Sequence, residues 1–391
     1  MILRTITKAD LPQFRELLKY CFFMTTEETI KWFPENRVNR YSFGIFDGKI
    51  LASAAVFFPF QIWLSTDYHK MAGVTSVVTR PEYRRKGLVD KLMIHLQEKM
   101  NEYGFYMSSL MPFKFSFYKR MGWEYGSFIK QFTFKPEQME KINAENRTIS
   151  EGSWERDIPK LYEIREKILK KRYEGWNKRE KVFLKQMFLV DVSSKLYFIK
   201  NGHEITGCFI SYVEKKKPEK NLVIAEPIFA EKDDLDAIMA FSYNHLDHLK
   251  EIDLYTAMDV EIWNYLREPR ITIKIIPQHQ HKIINVEKAL ENIKINKDIS
   301  GEITFVIDND SSAPWNNRNY LVEASKGRMK VTKSNIKSDS KLTIQTFSQI
   351  FFGLKSVDEL IWEKKIQINK KELTLFRKIF PKRNFWFLDW F

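Results

Sequence analysis

Cysteine is scarce in this chain. Only Cys21 and Cys208 occur among 391 residues, far apart and each among apolar neighbours. No disulfide framework is available, and both thiols are expected as buried small hydrophobes in a reducing cytoplasm. No group of Cys and His has metal-ligand spacing, so no metal is expected. No apolar run approaches the ~20 residues of a membrane span. The opening Met1-Ile2-Leu3-Arg4-Thr5-Ile6 lacks the basic, apolar and cleavage regions of a secretory leader. These absences predict a cytoplasmic protein without a membrane partner. What is plentiful is bulk: 31 Phe, 16 Tyr and 10 Trp, with 44% apolar residues overall. That is ample core material, and the length predicts two or three domains.

The formal charge of +14 raises the possibility of nucleic-acid binding. The basic residues, however, are mixed with 50 acidic ones and spread along the whole chain. Lys215, Lys216 and Lys217 follow Glu214, and Lys364 and Lys365 follow Glu363, as on solvated turns or helix faces. No nucleic-acid partner is expected. The excess of positive charge still favours capture of a polyanionic small molecule.

Periodicity organises the chain into three parts, 1–148, 149–286 and 287–391. In the first, Leu11, Phe14, Leu17, Leu18 and Cys21 mark an amphipathic helix opened by Asp10 and Pro12. A hairpin over 40–58 turns at Asp47-Gly48. A strand over 69–79, a loop over 80–86, a helix over 87–100 and a strand over 105–110 follow. Leu88, Leu92, Leu96 and Met100 recur every four residues on that helix. The second part repeats the order: a helix over 155–171, a hairpin turning at Asn201-Gly202, a strand over 222–229 and a helix from Asp233. In the third, strands are expected over 303–307, 321–324 and 327–331, and helices over 340–350 and 373–379. The chain closes on Asn384-Phe385-Trp386-Phe387-Leu388-Asp389-Trp390-Phe391, too aromatic for an ordinary frayed end and expected to be buried.

Two segments carry chemistry. Arg84-Arg85-Lys86-Gly87-Leu88-Val89 joins a β-branched strand to an amphipathic helix. A helix N-terminus binds phosphate well, because its first amides lack partners and the dipole end is positive. Gly87 lets the backbone approach closely. On its own the pattern also describes a basic turn before a helix; its place between this strand and this helix favours a phosphate site. The second part has Ala230-Glu231-Lys232-Asp233-Asp234 at the corresponding place, acidic and without glycine, so one such site per chain is expected. The other segment is Phe117-Tyr118-Lys119-Arg120-Met121-Gly122-Trp123. Tyr118 could be a packing residue with a wet hydroxyl or a proton donor, since a phenol of pKa about 10 keeps its proton at neutral pH.

The first segment resembles the cofactor signature of the GNAT acetyltransferases, R/Q-x-x-G-x-G/A, with Val89 where glycine or alanine is usual. The resemblance implies acetyl-CoA as co-substrate, with Val77, Val78 and Thr79 along its pantetheine arm. Arg84, Arg85, Lys86, Gly87, Leu88, Val89 and Asp90 would lie at its phosphates, and Phe113 and Lys114 would be further contacts. It also implies Tyr118 as the acid that protonates the departing thiolate. Two such units, the second degenerate, followed by a sterol-carrier-protein-like domain, resemble the enhanced intracellular survival (Eis) family over the whole chain. The implied fold class is mixed α/β: tandem GNAT folds, each a mixed sheet flanked by helices, plus a C-terminal α+β domain. The family further implies a homo-oligomer, a hexamer, and a terminal α-carboxylate, here that of Phe391, as the base. A tail acting only as an apolar plug is the other reading.

The acceptor implied is an aminoglycoside-like polyamine or a lysine-type amine. Glu27, Glu28 and Trp32, with Asp389 from the tail, are its candidate contacts. The same stretch also fits a capped second helix, with Thr25 or Thr26 ahead of Glu28. A non-enzymatic carrier of apolar ligands is the alternative function, and it would require an open apolar tunnel in the last domain.

Overall fold

The computed structural model describes residues 1–35, 40–178, 194–216, 219–245, 249–334 and 337–387. The chain divides into two compact units. One comprises 1–126 with 279–385, and the other comprises 127–278 with residues 386 and 387.

In the first unit, strand β1 (Ile2–Thr5) precedes helices α1 (Leu11–Phe22) and α2 (Thr26–Trp32). Helix α1 buries Leu11, Phe14, Leu17 and Leu18, as their spacing predicts. Its start is secured by Asp10, which accepts from Arg4 at 2.7 and 2.9 Å and from the Thr7 amide and hydroxyl, each at 2.8 Å. The hydrogen bond from Arg4, more than the others, holds the Asp10 carboxyl at about 2, below its ordinary 3.8. Asp10→Asn is expected to cost about 1–2 kcal/mol at neutral pH, discounted because Arg4 is partly exposed. The folded-state pKa is depressed, so the contribution is complete above pH 3.8 and is lost as pH falls through about 2. Urea midpoints of the two proteins should therefore differ at pH 7 and converge near pH 2.

A hairpin follows, β2 (Ser42–Asp47) and β3 (Ile50–Leu64), turning at Gly48 with φ 57°. Then come β4 (Asp67–Thr79), α3 (Leu88–Glu102), β5 (Met107–Leu110) and the short α4 (Phe115–Lys119). Leu88, Leu92, Leu96 and Met100 are buried against Phe43, Ala55 and Phe57 of the sheet. Each such side chain contributes about 1.5–3 kcal/mol on burial. β1 to β4 pair antiparallel in order. β4 and β5 pair parallel from Met71–Met107 to Val74–Leu110 and no further. Beyond Val74, β4 stays paired with β3 alone among the described residues, across a bulge at which Ser76 takes φ 53°.

The second unit contains β6 (Glu124–Phe134), β7 (Thr148–Gly152), α5 (Ile158–Arg172), β8 (Lys195–Asn201), β9 (Glu204–Lys216), β10 (Glu219–Phe229), α6 (Lys232–Tyr243) and β11 (Glu251–Thr256). Its order is β7–β8–β9–β10–β11–β6, with the β10–β11 pair parallel and the others antiparallel. The first unit has the same order and senses, β1–β2–β3–β4–β5–β12. There β12 (Thr272–Ile283) supplies the sixth strand through the pairs Gln280–Leu110 to Ile283–Met107. Even the bulge recurs, with Glu226 of β10 at φ 48°. The tandem fold is therefore real, and it is closed by strands (β6 and β12) that periodicity does not announce.

After β12 the chain forms α7 (Val286–Asn292), β13 (Gly301–Asp308), β14 (Arg318–Ser325), β15 (Arg328–Ser334), β16 (Lys341–Thr343), α8 (Ile344–Phe351), α9 (Val357–Trp362) and α10 (Leu373–Ile379). The four strands order as β15–β14–β13–β16. The helix expected from 340 starts at Ile344, because 341–343 pair with β13 and Thr343 caps the helix, accepting from the Thr346 amide at 3.2 Å. Stacked and edge-on rings of Phe305, Tyr320, Phe347, Phe376 and Phe380 fill the interior, with centroids 5.0–6.1 Å apart. Trp386 and Phe387 are buried, as the aromatic tail predicts. Cys208 is buried and its thiol is pushed up to about 12 by desolvation, but Cys21 is only half-buried, 3.8 Å from the Thr79 carbonyl.

Candidate active site

The loop from β4 to α3 is the place at which the sequence predicts a phosphate site. Arg80 anchors it, donating from its amide to the Ala52 carbonyl and from Nε to the Leu51 carbonyl, both at 2.9 Å. Arg85 (φ 59°) and Gly87 (φ 72°) then take left-handed conformations, and Gly87 caps α3. Among the described residues, none of the amides from Arg85 to Asp90 finds an acceptor in a loop, cap or side chain. A Cβ built on Gly87 meets nothing within 4 Å, so the approach to these amides is open. Arg84, Arg85 and Lys86 are exposed beside them. Donors, dipole and charge all suit a pyrophosphate.

The second unit answers the same problem from within. At the start of α6 the Asp234 carboxylate accepts from the Ala230 and Glu231 amides at 3.1 and 3.0 Å. It also accepts from Arg147 Nε at 2.8 Å and from the Thr206 hydroxyl at 2.5 Å. An internal anion thus fills the helix terminus that an external phosphate would need. This is the structural counterpart of the acidic, glycine-free start.

Where β4 and β5 part, a cavity of about 480 Å³ opens, lined by Val74 to Val77 on one side and by Met111 to Phe113 with Tyr118 on another. Phe22, Met24 and Trp32 complete it. Tyr118 is 3% exposed, and its hydroxyl makes no hydrogen bond among the described residues. Burial raises its phenol well above the ordinary 10, so it stays protonated. Phe113 lies edge-on to the Tyr118 ring, with centroids 5.6 Å apart. A protonated, unpartnered and buried hydroxyl at the cavity is suited to donate to a leaving group.

The other expected residues are distributed unevenly. Val77 lines the cavity, Val78 is buried, and the Thr79 and Ser53 hydroxyls lie 2.8 Å apart. Leu88 packs in the core with Val89 partly buried against it, while Asp90 pairs with Arg120. Lys114 is exposed as the N-cap of α4. Trp32 lies on the cavity wall, its indole N–H 3.4 Å from the Ser76 hydroxyl. Glu27 and Glu28 are not among the lining residues. Glu28 closes a capping box instead, accepting from the Thr25 amide at 2.7 Å. Asp389 and Phe391 lie outside the described residues.

One arrangement had no sequence signal. Lys282 and Asp310 are fully buried as an ion pair at 2.7 Å. Lys282 Nζ also donates to Gln97 Oε1 of α3 at 2.6 Å, to the Met121 carbonyl at 2.8 Å and to Ser312 Oγ at 3.0 Å. It thereby grips the turn directly after Tyr118. A Cβ on Gly122 (φ 97°) would sit 2.6 Å from Lys282 Nζ, so the glycine of the Tyr118–Gly122 segment is needed for both conformation and space.

Residues 3–126 match the acetyltransferase (GNAT) domain family, and residues 286–388 match the sterol carrier protein domain family. Residues 3–126 are a GNAT acetyltransferase domain. The chain is accordingly an enzyme of the acyltransferase class, with a sterol-carrier-like domain behind it. GNAT domains in general take acetyl-CoA as co-substrate and an amine as acceptor. Comparison with curated proteins gives no match. Among solved structures, a GCN5-related N-acetyltransferase from Anabaena variabilis is 19% identical, with TM-score 0.88 and full coverage of both chains. A probable N-acyltransferase from Enterococcus faecalis is 20% identical with the same TM-score, covering 100% of this chain and 99% of that one. Eis1 from Mycobacterium abscessus is 14% identical with TM-score 0.77, covering 98% and 97%. At these identities the likeness is one of fold, and it includes the Eis arrangement. No helix among the described residues is long and apolar enough to cross a membrane. No group of three or more His, Cys, Asp or Glu among them could hold a metal ion.

Proposed function

We propose that the chain transfers the acetyl group of acetyl-CoA directly to an amine. The observation that carries this is the continuity of one surface. The unpaired edge of β4 past Val74 leads to the open amides of Arg85–Asp90, and Tyr118 stands in the cavity at its other end. The pantetheine would run along Val77, Val78 and Thr79, its phosphates against Arg84 to Asp90, with Phe113 and Lys114 as outer contacts. A β4 amide would steady the developing oxyanion. Tyr118 would protonate the sulfur as it leaves. The Phe391 carboxylate would take the proton of the ammonium nucleophile, and Asp389 and Trp32 would be acceptor contacts. The acceptor kinds implied by the resemblance are an aminoglycoside-like polyamine and a lysine-type amine. The organisation proposed is 1–148, 149–286 and 287–391, in a cytoplasmic homo-oligomer, hexameric by the same resemblance.

Calorimetric titration with acetyl-CoA tests the site. The wild type should bind, and Gly87→Val, which places a branched side chain at a left-handed residue facing the open amides, should weaken binding by about 10-fold or more. A wild type that neither binds acetyl-CoA nor releases thiol with any amine would sink the reading. Removing Phe391, or extending the chain beyond it, should reduce turnover at pH 7 by about 100-fold while acetyl-CoA still binds. That deficit should shrink as pH approaches the acceptor's own pKa, because the free amine then needs no base. Unchanged turnover at pH 7 would remove the carboxylate from the mechanism.

A further inference from the structure

Resting on the acyl-transfer reading with Tyr118 as its acid, we propose that Lys282 and Ser312 are positioning residues for Tyr118. Through them β12 and the sterol-carrier-like domain set the place of the Tyr118 hydroxyl. The helix that bears Tyr118 cannot do this alone. α4 is five residues long, and its N-cap, Lys114, contributes no side-chain hydrogen bond among the described residues. A helix this short is marginal in water, because the dihedrals it fixes are offset by few internal bonds. Tyr118 is the last residue but one of α4, so its ring is held no better than the turn that follows.

That turn is held from outside. The Tyr118 carbonyl accepts from the Met121 and Trp123 amides at 3.0 and 3.2 Å. The Met121 carbonyl accepts in its turn from Lys282 Nζ at 2.8 Å and from Ser312 Oγ at 2.7 Å, which fills both its lone pairs. Gln280 stands two residues before Lys282, on the same face of β12. It donates to the Phe115 and Trp123 carbonyls at 3.2 and 3.3 Å. Gln345 of α8 donates to the Lys119 carbonyl at 2.9 Å. Carbonyls at both ends of α4 are thus fastened to side chains from a remote part of the chain. None of these four residues lines the cavity. Lys282 and Ser312 are buried, and in a close-packed interior a shift of the turn passes to the ring. Stability alone gives little reason for such an ion pair, since apolar residues of similar volume often serve as well. What they could not reproduce is the hydrogen bonding to the Met121 carbonyl.

Two variants of the full chain separate position from stability. Ser312→Ala deletes one bond to Met121, while Lys282 keeps Asp310, Gln97 and Met121 as acceptors for its three protons. Its urea midpoint should stay close to that of the wild type. Lys282→Met with Asp310→Leu exchanges the ion pair for apolar volume. Single-turnover transfer from acetyl-CoA to kanamycin and to a Gly-Lys-Gly peptide should fall about 5-fold in Ser312→Ala and about 10-fold or more in the double variant. The Kd for acetyl-CoA should not change. In a Tyr118→Phe background neither change should cost more than about twofold further, because both act through the hydroxyl already lost. Should the double variant fail to fold, Ser312→Ala decides alone. Wild-type transfer rates in stably folded variants would overturn the proposal and leave the network purely structural. Losses of equal size with and without the Tyr118 hydroxyl would overturn it too, and both results leave the acyl-transfer reading standing. A Tyr118→Phe enzyme as fast as the wild type removes the acid and this proposal with it. A wild type that does not bind acetyl-CoA overturns the acyl-transfer reading beneath both.

Discussion

Replacing Asp310 with Ala is expected to destabilise the first unit by about 3–5 kcal/mol, because it strands a buried ammonium. Lys282 has no exposed surface, and its three protons face Asp310 Oδ1, Gln97 Oε1, the Met121 carbonyl and Ser312 Oγ. Asp310 is satisfied in turn, accepting from Asn316 Nδ2 at 3.0 Å and from the Ala313 amide at 3.2 Å. Burial lowers the pKa of Lys282, and Asp310 opposes that shift. Without the carboxylate the pKa falls further, so the penalty for keeping the amine charged is larger at neutral than at alkaline pH. It should shrink as pH rises towards the ordinary lysine value of 10.5, where the unfolded chain also loses the proton. Urea unfolding at pH 7 and at alkaline pH checks both magnitude and sign. The double variant Lys282→Met with Asp310→Leu should recover most of the loss, since an apolar pair of similar volume often matches a buried ion pair. An Asp310→Ala protein that unfolds like the wild type at pH 7 would mean that the pair contributes nothing.

What could be read in advance follows the range of the interactions. The β4–α3 joint was legible because its chemistry is local: a β-branched strand, three cations, a glycine and a four-residue apolar repeat lie within two dozen positions. The acidic start of the second unit's helix was legible from Asp233 and Asp234. That Asp234 itself plugs the helix terminus was not, because Arg147 and Thr206 come from distant parts of the chain. Strands β6 and β12 escaped notice for the same reason, since each completes its sheet beside a strand remote in sequence. Nothing in the sequence distinguishes Lys282 from the other 63 basic residues, because burial of a lysine is a property of its surroundings. Glu28 had two readings open, and the cap accounts for its carboxylate. The bulge at Ser76 has no residue signature either, yet it receives the Trp32 indole on the cavity wall.

Tyr118→Phe should lower kcat by about 10²–10⁴-fold while leaving the Kd for acetyl-CoA within about twofold. The ring stays, so its packing against Phe113 and Phe117 is retained and only the hydroxyl is lost. At first sight a phenol raised above its ordinary 10 by burial is a poor acid for a thiolate. The environment that raises one raises the other. Desolvation pushes the buried Cys208 thiol up to about 12 in this same protein, and a thiolate expelled beside the desolvated Tyr118 hydroxyl is likewise a stronger base than in water. Proton donation to sulfur as the carbon–sulfur bond lengthens is then favourable, and the raised phenol supplies it at any working pH. The wild-type rate should accordingly show no alkaline loss below pH 10 from ionisation of Tyr118. Acceptors of lower amine pKa should suffer more from the substitution, because they are more readily expelled from the tetrahedral adduct, which leaves departure of the sulfur as the larger part of the barrier. Single-turnover acyl transfer with saturating acetyl-CoA isolates this step from product release. A Tyr118→Phe enzyme with an unchanged single-turnover rate would leave the hydroxyl without a chemical role and the cavity without its acid.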